Sequence, residues 1–190
     1  MTAVLTRHKL SVSDFHQMAE ARILAEDDHL ELIEGDLIDM MPIGQKHAAM
    51  VNRLTYYFSA IFGDRATLTI QNPLVLGDRT EVYPDVLLLE RRADFYAFGH
   101  PVPADVYLVV EVADSSLNYD RSVKFPLYAE AKIPEVWLVN LADDRLEIYH
   151  QPMEKSYQHV LILQRGDALR LLAFPEVELD VIDLIGPTSG

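Results

Sequence analysis

Apolar and polar positions change period several times along the chain, and each change marks an element. Ser11 or Ser13 can cap a helix in which Phe15, Met18, Ala19 and Ile23 recur at helical spacing, which predicts a helix to about Leu24. From Leu30 to Met40, apolar residues flank a Glu34-Gly35-Asp36 turn signal, the pattern of a hairpin, closed by Pro42 and Gly44. A long helix is expected over 45–62. Val51, Leu54, Phe58 and Ile61 form its apolar stripe, and Gly63 stops it. His47 lies four residues before Val51 and extends that stripe.

Strand signals follow at 66–71 and 73–76, with a turn at Gly77-Asp78. The continuous apolar runs at 84–89 and 106–112 read as central strands buried on both faces. A helix is expected around 120–132 with Leu127, Tyr128 and Ala131 on its packing face. Pro126 inside it predicts a late start or a kink. Residues 135–140 and 145–150 read as a hairpin across Asp143-Asp144, and 157–163 and 168–172 add β signals. There is no repeat or linker, and 186–190 reads as a tail. The order of elements indicates an α/β or α+β fold: one mixed central sheet with helices packed on it.

Composition narrows the function. The 190 residues suit a single domain, 1–190, with 49% apolar and 24% charged residues. The absence of cysteine excludes disulfide scaffolds, Cys-based zinc sites and thiol catalysis. A net charge of −14 repels phosphate backbones and anionic membranes at long range and favours divalent cations where carboxylates concentrate. No apolar stretch approaches the ~20 residues of a membrane span, and no signal peptide is evident, so no membrane partner and a cytoplasmic location are expected.

Two acids break the apolar pattern. Asp85 opens one central strand and Glu111 lies inside the other, between Val110 and Val112. A buried carboxylate costs several kcal/mol unless it is paired, protonated or metal-bound. If the two strands pair, about 4.8 Å apart, both carboxylates can reach one ion. Alternatively each acid ends its strand in solvent or pairs with an arginine. Lys124, on the following helix, either reaches that site or snorkels to water. By itself His47 reads as a hydrogen-bonded core histidine, and Glu34 as an ordinary turn residue.

Taken together, the strings LELIEGDLIDMMPIGQKHAAMVNRL, Gln71-Asn72-Pro73-Leu74, EVYPDVLLL and HPVPADVYLVVEVADSSLNYDRSVKFPLYAEAKIPEVWLVNL resemble the Uma-two family of endonucleases. That family was once catalogued as a domain of unknown function and is placed in the PD-(D/E)XK superfamily. The likeness covers about 30–185. It implies a restriction-endonuclease-like mixed central sheet flanked by helices, with an extra N-terminal helix and hairpin. Pro84-Asp85 is similar to the superfamily's first motif and Glu111 to its second acid. The position two residues after that acid, usually lysine, holds Ala113; in the family pattern the lysine sits on the next helix, where Lys124 stands. Glu34, His47, Asp114-Ser115-Ser116 and Asp120 match further polar positions. The resemblance implies Mg²⁺, with Mn²⁺ able to replace it, held by Asp85, Glu111 and the Val112 carbonyl. Lys124 would then orient water or stabilise charge, Glu34 would assist a second metal or fix Lys124, and His47 would contact a carboxylate or substrate.

DNA is the partner this implies, bound weakly because of the acidic surface, and a homodimer is compatible with the sequence. Arg91, Arg92, Arg121, Lys46 and Arg53 are the cations that could gather on one face. Two other readings stand beside a DNA endonuclease: a non-cleaving interaction module on the same fold, and a metal-dependent hydrolase of a smaller phosphoester, which tolerates the acidic surface better.

Overall fold

The computed structural model describes residues 7–25 and 27–187. Ser11 caps α1 (Val12–Glu20): its hydroxyl accepts the Asp14 N–H, and the Asp14 carboxylate accepts the Ser11 N–H at 2.8 Å. This reciprocal pair satisfies two donors that the first turn leaves open. The helix ends at Glu20, short of the expected Leu24. Arg22 adopts a left-handed backbone (φ 56°), so the Ile23 N–H reaches the Met18 carbonyl and the Arg22 N–H that of Ala19. Glycine usually provides this stop. Ile23, expected on the packing face, is therefore left exposed.

The hairpin pairs β1 (Leu30–Ile33) with β2 (Asp36–Asp39) through a turn in which Glu34 and Gly35 both have positive φ, 49° and 82°. A Cβ at Gly35 would also lie 2.7 Å from the Lys9 Cβ, so the N-terminal segment leaves room for glycine alone. The long helix α2 (Gln45–Phe62) has the predicted bounds and buries Val51, Leu54, Phe58 and Phe62. Then come β3 (Ala66–Ile70), β4 (Leu74–Gly77), β5 (Thr80–Val82), β6 (Val86–Glu90) and β7 (Val106–Ala113). The strand β5 is an addition to the sequence reading; three residues are too few to show a period.

The helical segment after β7 starts earlier than expected. It runs as α3 (Leu117–Tyr119), a π-helical turn (Asp120–Lys124) and α4 (Phe125–Glu130). Pro126 has no N–H to give the preceding turn, and the widened turn in front of it is the irregularity the proline imposes. The chain then forms β8 (Glu135–Asn140), β9 (Arg145–Pro152), β10 (Tyr157–Leu163), β11 (Ala168–Leu171), β12 (Phe174–Asp180) and α5 (Val181–Ile185). Of these, β12 and α5 were not expected. The predicted tail lies partly outside the described residues, at 188–190.

The central sheet has the order β10–β9–β8–β7–β6–β3. Its β7–β8 pair is parallel and its other pairs antiparallel, so the fold is α+β with a mixed sheet. The segment from α3 to α4 is the crossover that a parallel pair requires. Both faces of the sheet are buried. Val86, Leu88, Leu108, Val110 and Val112 share a core with α2, the β11–β12 ribbon and α5. Leu87, Leu89, Val109, Ala113, Val136 and Leu138 share another with Phe125 and Tyr128 of α4 and with Ile33, Leu74 and Val82 of a second sheet, β2–β1–β5–β4. Each such valine, leucine, isoleucine or phenylalanine side chain contributes about 1.5–3 kcal/mol by leaving water. Alternation places Glu111 on this second face, against the helical crossover. No helix among the described residues is long and apolar enough to cross a membrane.

Candidate active site

Register, rather than sequence distance, brings the acids together. Ile70 pairs with Val86 and Val86 with Val110, so the next row across the sheet reads Gln71, Asp85, Glu111. Asp85 and Glu111 are both buried. They line a cleft of about 330 Å³ together with Glu31, His47, Gln71, Val112, Asp114, Ser115, Ser116, Asp120 and Lys124.

Each acid is held by several donors. Asp85 Oδ2 accepts the Val112 N–H at 2.8 Å and faces His47 Nε2 at 2.9 Å, while its Oδ1 accepts Gln71 Nε2 at 3.2 Å. Glu111 Oε1 takes both the Tyr128 hydroxyl at 2.5 Å and the Lys124 ammonium at 3.2 Å, which leaves Oε2 for another partner. Lys124 also pairs with Glu31 Oε1 at 2.9 Å. Glu31 in turn accepts the Tyr83 N–H at 2.9 Å and the Tyr119 hydroxyl at 3.3 Å. The Ser116 hydroxyl donates to Asp120 at 2.7 Å.

Burial dominates the electrostatics, and the shortage of cations leaves it uncompensated. Burial pushes the Glu111 carboxyl up to about 8, against the pull of Lys124, and the charges of Asp120 and Asp85 add to the rise. Burial likewise lifts Asp120 to about 6, with Ser116 and Lys124 opposing. Burial alone would lower Lys124, but Glu111, Glu31 and Asp120 outweigh it and keep the ammonium charged. The hydrogen bond to Asp85 raises His47, against burial. His47 Nδ1 is buried with no hydrogen-bond partner among the described residues.

The structure thus gathers Asp85, Glu111, Val112, Lys124 and His47 at one cleft, as well as Asp114, Ser115, Ser116 and Asp120. Lys124 points inward from the widened turn, at 6% exposure. Glu34 departs from the expectation. It sits exposed in the β1–β2 turn, outside the cleft lining, with its N–H on Thr80 Oγ1. Glu31, three residues earlier, is the acid that fixes Lys124, because strand alternation sends its side chain inward. The sequence carried a signal for it: Glu31 stands between Leu30 and Leu32, as Glu111 does between valines. Gln71 and Tyr128 are further contacts that the reading of single residues did not select. The arginines do not gather here. Arg121 turns to Glu147, Arg92 to Asp94, Arg91 to the Gly63 carbonyl and Arg53 to the Asp183 carbonyl. Among the described residues lining the cleft, Lys124 is the single lysine or arginine.

The model of a family described as "Uma2: Putative restriction endonuclease" matches residues 12–182. The match takes in α1 and so begins before Leu30, where the quoted strings start. The structure of "a putative nuclease belonging to DUF820" from Anabaena variabilis ATCC 29413 superposes with a TM-score of 0.68, over 93% of this chain and 97% of that one, at 17% identity. A likeness at that identity speaks for the fold. No curated protein matches the chain.

Proposed function

Because the chain belongs to the Uma2 family of putative restriction endonucleases, we propose that it is a Mg²⁺-dependent endonuclease hydrolysing phosphodiester bonds of DNA at the Asp85–Glu111 cleft. One observation carries this reading: Asp85 stands across from Glu111 on neighbouring buried strands, with the Lys124 ammonium 3.2 Å from Glu111. The donor set fits a hard dication. Glu31, Asp85, Glu111 and Asp120 share the cleft with one buried ammonium, and Glu111 and Asp120 are held above the usual carboxylate range. Asp85, Glu111 and the Val112 carbonyl would hold Mg²⁺ or Mn²⁺ through oxygen. Such an ion, when bound, polarises a phosphoryl oxygen and acidifies water.

The remaining work falls to the chain's own side chains. His47, Gln71 and the Val112 N–H together fix both oxygens of Asp85, so the carboxylate keeps its aim. Tyr128 and Lys124 do the same for Glu111. As the water oxygen bonds to phosphorus its proton passes to a base, and as the ester P–O bond breaks the leaving oxygen takes a proton from water; in between, negative charge grows on the phosphoryl oxygens. Lys124, positioned by Glu31, stabilises that charge without having to reorganise. Asp120, held at about 6, has the pKa of a base that works near neutral pH.

The acidic surface favours a second reading, hydrolysis of a smaller phosphodiester. With a net charge of −14 and Lys124 as the single lysine or arginine among the described residues lining the cleft, a polyanion gains little on approach. One experiment separates these readings. The purified full chain is incubated with supercoiled plasmid, single-stranded DNA or bis(p-nitrophenyl) phosphate, in Mg²⁺, Mn²⁺ or EDTA, at low and physiological salt. The proposal expects DNA cleavage that EDTA stops and that Asp85→Asn removes while circular dichroism stays unchanged. Turnover of the small diester alone moves the function to the second reading. Absence of turnover on every substrate leaves a non-cleaving interaction module.

A further inference from the structure

Outside the acid network, three side chains from distant parts of the chain converge: His16 on α1, Glu81 on β5 and His100 in the segment before β7. One ligand atom from each lies within 4.8 Å of the other two. His16 Nε2 is 2.7 Å from Glu81 Oε2, and the His16 and His100 rings meet edge-on with centroids 5.4 Å apart. Glu81 is 1% exposed, whereas His100 is open to solvent. The Tyr83 hydroxyl donates to Glu81 Oε1 at 3.0 Å, so Oε2 is the oxygen turned to the imidazoles.

The hydrogen bond between His16 and Glu81 accounts for part of this arrangement. It does not account for a third ligand atom, from the exposed His100, standing within 4.8 Å of both. A shared cation accounts for all three residues. Two imidazole nitrogens and one buried carboxylate, with the remaining side open to water, are the ligand set of a three-residue zinc site with an exchangeable fourth position. Ligand atoms around such an ion lie about 3.3 Å apart, given Zn–N bonds of about 2.0–2.1 Å. His16 and Glu81 are already closer than that, and a rotation of the exposed His100 completes the set. The three residues also edge a cavity of about 880 Å³, which gives the fourth position room for water or an anionic ligand.

We propose that His16, Glu81 and His100 form a second metal site, selective for a borderline transition dication of the Zn²⁺ class. The two sites would then sort ions by chemistry. Imidazole nitrogen suits Zn²⁺, Ni²⁺ or Co²⁺, whereas Mg²⁺ takes oxygen and prefers the carboxylate cleft.

The test reads binding rather than turnover, so it is independent of the nuclease reading. Tag-free full-length chain is titrated calorimetrically with Zn²⁺ in millimolar Mg²⁺, and Co²⁺ is followed by its visible absorption. The expected result is one Zn²⁺ per chain, and Co²⁺ bands of low coordination number. His100→Ala and His16→Ala should each weaken Zn²⁺ binding at least about 100-fold, beyond the 10–100-fold typical of losing an outer-shell partner. Asp85→Asn should leave it unchanged. His100 is exposed, so its alanine variant keeps the fold and the test keeps its force. Wild-type Zn²⁺ affinity in His100→Ala, loss of Zn²⁺ binding with Asp85→Asn, or no Zn²⁺ binding at all would each overturn the site.

Discussion

Glu111 and Glu147 are the same residue type on the same row of the same sheet, yet their surroundings treat them in opposite ways. Both pair with Leu138 of β8, one from each side. Their exposures are 3% and 2%. The π-helical turn supplies a cation to each, Lys124 to Glu111 and Arg121 to Glu147. Around Glu147 the supply is generous. Arg121, Arg145, Asn140 and Tyr149 all donate to it, and against its burial they hold the carboxyl down to about 2. Around Glu111 one lysine serves several acids, and burial prevails, to about 8. Burial alone therefore does not distinguish the two carboxylates; the partners around them do. Glu147 is a fastened part of the framework, and Glu111 is left wanting a cation.

The two cations offer the hardest test of this contrast. Lys124→Met should lower turnover at least ~100-fold, the scale of one preorganised charge-stabilising group. Lys124→Arg should not restore it, since a planar fork replaces a point charge poorly. Without metal the Lys124→Met fold should also weaken by about 3–5 kcal/mol, because buried acids lose their partner. Arg121→Met should leave turnover within a few-fold of wild type, because Glu147 lies outside the cleft lining. Cleavage rates and urea unfolding in EDTA measure both effects. Equal loss of turnover in the two variants would break the division between site and framework.

Stability should divide the glutamates in the reverse sense. The Glu147 pKa is depressed from 4.5 to about 2. Its contribution is therefore complete above about pH 4.5 and disappears as pH falls towards 2, an effect of no more than about 3 kcal/mol. Glu147→Gln should forfeit most of that at neutral pH, lowering Tm by roughly 6–12 °C at this chain length, and should flatten the acid limb of the stability curve. The Glu111 pKa is raised, so its ionisation destabilises the metal-free fold as pH rises from 4.5 to about 8. Glu111→Gln at pH 8 in EDTA should therefore leave Tm unchanged or higher. Thermal unfolding of both variants checks the pair, and a matching fall in Tm would show that the two carboxylates serve the same purpose.

How much of this was legible follows from what periodicity can see. Strongly patterned elements announced themselves: α2 matched at both ends, and β6 and β7 were evident as apolar runs. The largely exposed β12, interrupted by Pro175, and the three-residue β5 did not. The family likeness brought Glu34 forward, and matching positions along a chain says nothing of where a side chain points. The turn at Glu34 was visible, but the inward aim of Glu31 depends on β1 packing beside β5. Isolating Glu111 needed more than pattern as well. Glu31, Glu81 and Glu147 also sit between strand neighbours and are buried. Family resemblance singled out Glu111 among them; in the structure its partners, rather than its spacing, set its charge.

The smallest effect should come from the end of the row, where Gln71 stands across from Asp85. Its amide donates to Asp85 Oδ1 at 3.2 Å, from a backbone held at φ 50°. A left-handed conformation costs a non-glycine residue roughly 1–2 kcal/mol, and this position bears that strain next to the proposed metal ligand. Gln71→Gly removes the amide and the strain together. The backbone N–H of residue 71 can still donate to the Pro84 carbonyl, 3.1 Å away, so strand pairing is kept. Relief of strain is offset by the greater freedom of glycine in the unfolded chain, about 0.5–1 kcal/mol, so net stability should change by no more than about 1 kcal/mol. Asp85 meanwhile loses the donor that fixes Oδ1, and turnover should fall about 10-fold, the lower end for an outer partner of a metal ligand. Raising Mg²⁺ should recover part of that loss if the amide acts by aiming Asp85 at the ion. This is the mirror image of Glu147→Gln, which should lose stability and keep turnover. A Gln71→Gly chain that unfolds early and cleaves at the wild-type rate would place Gln71 with the framework, and the boundary between the two regions would then run through Asp85 itself.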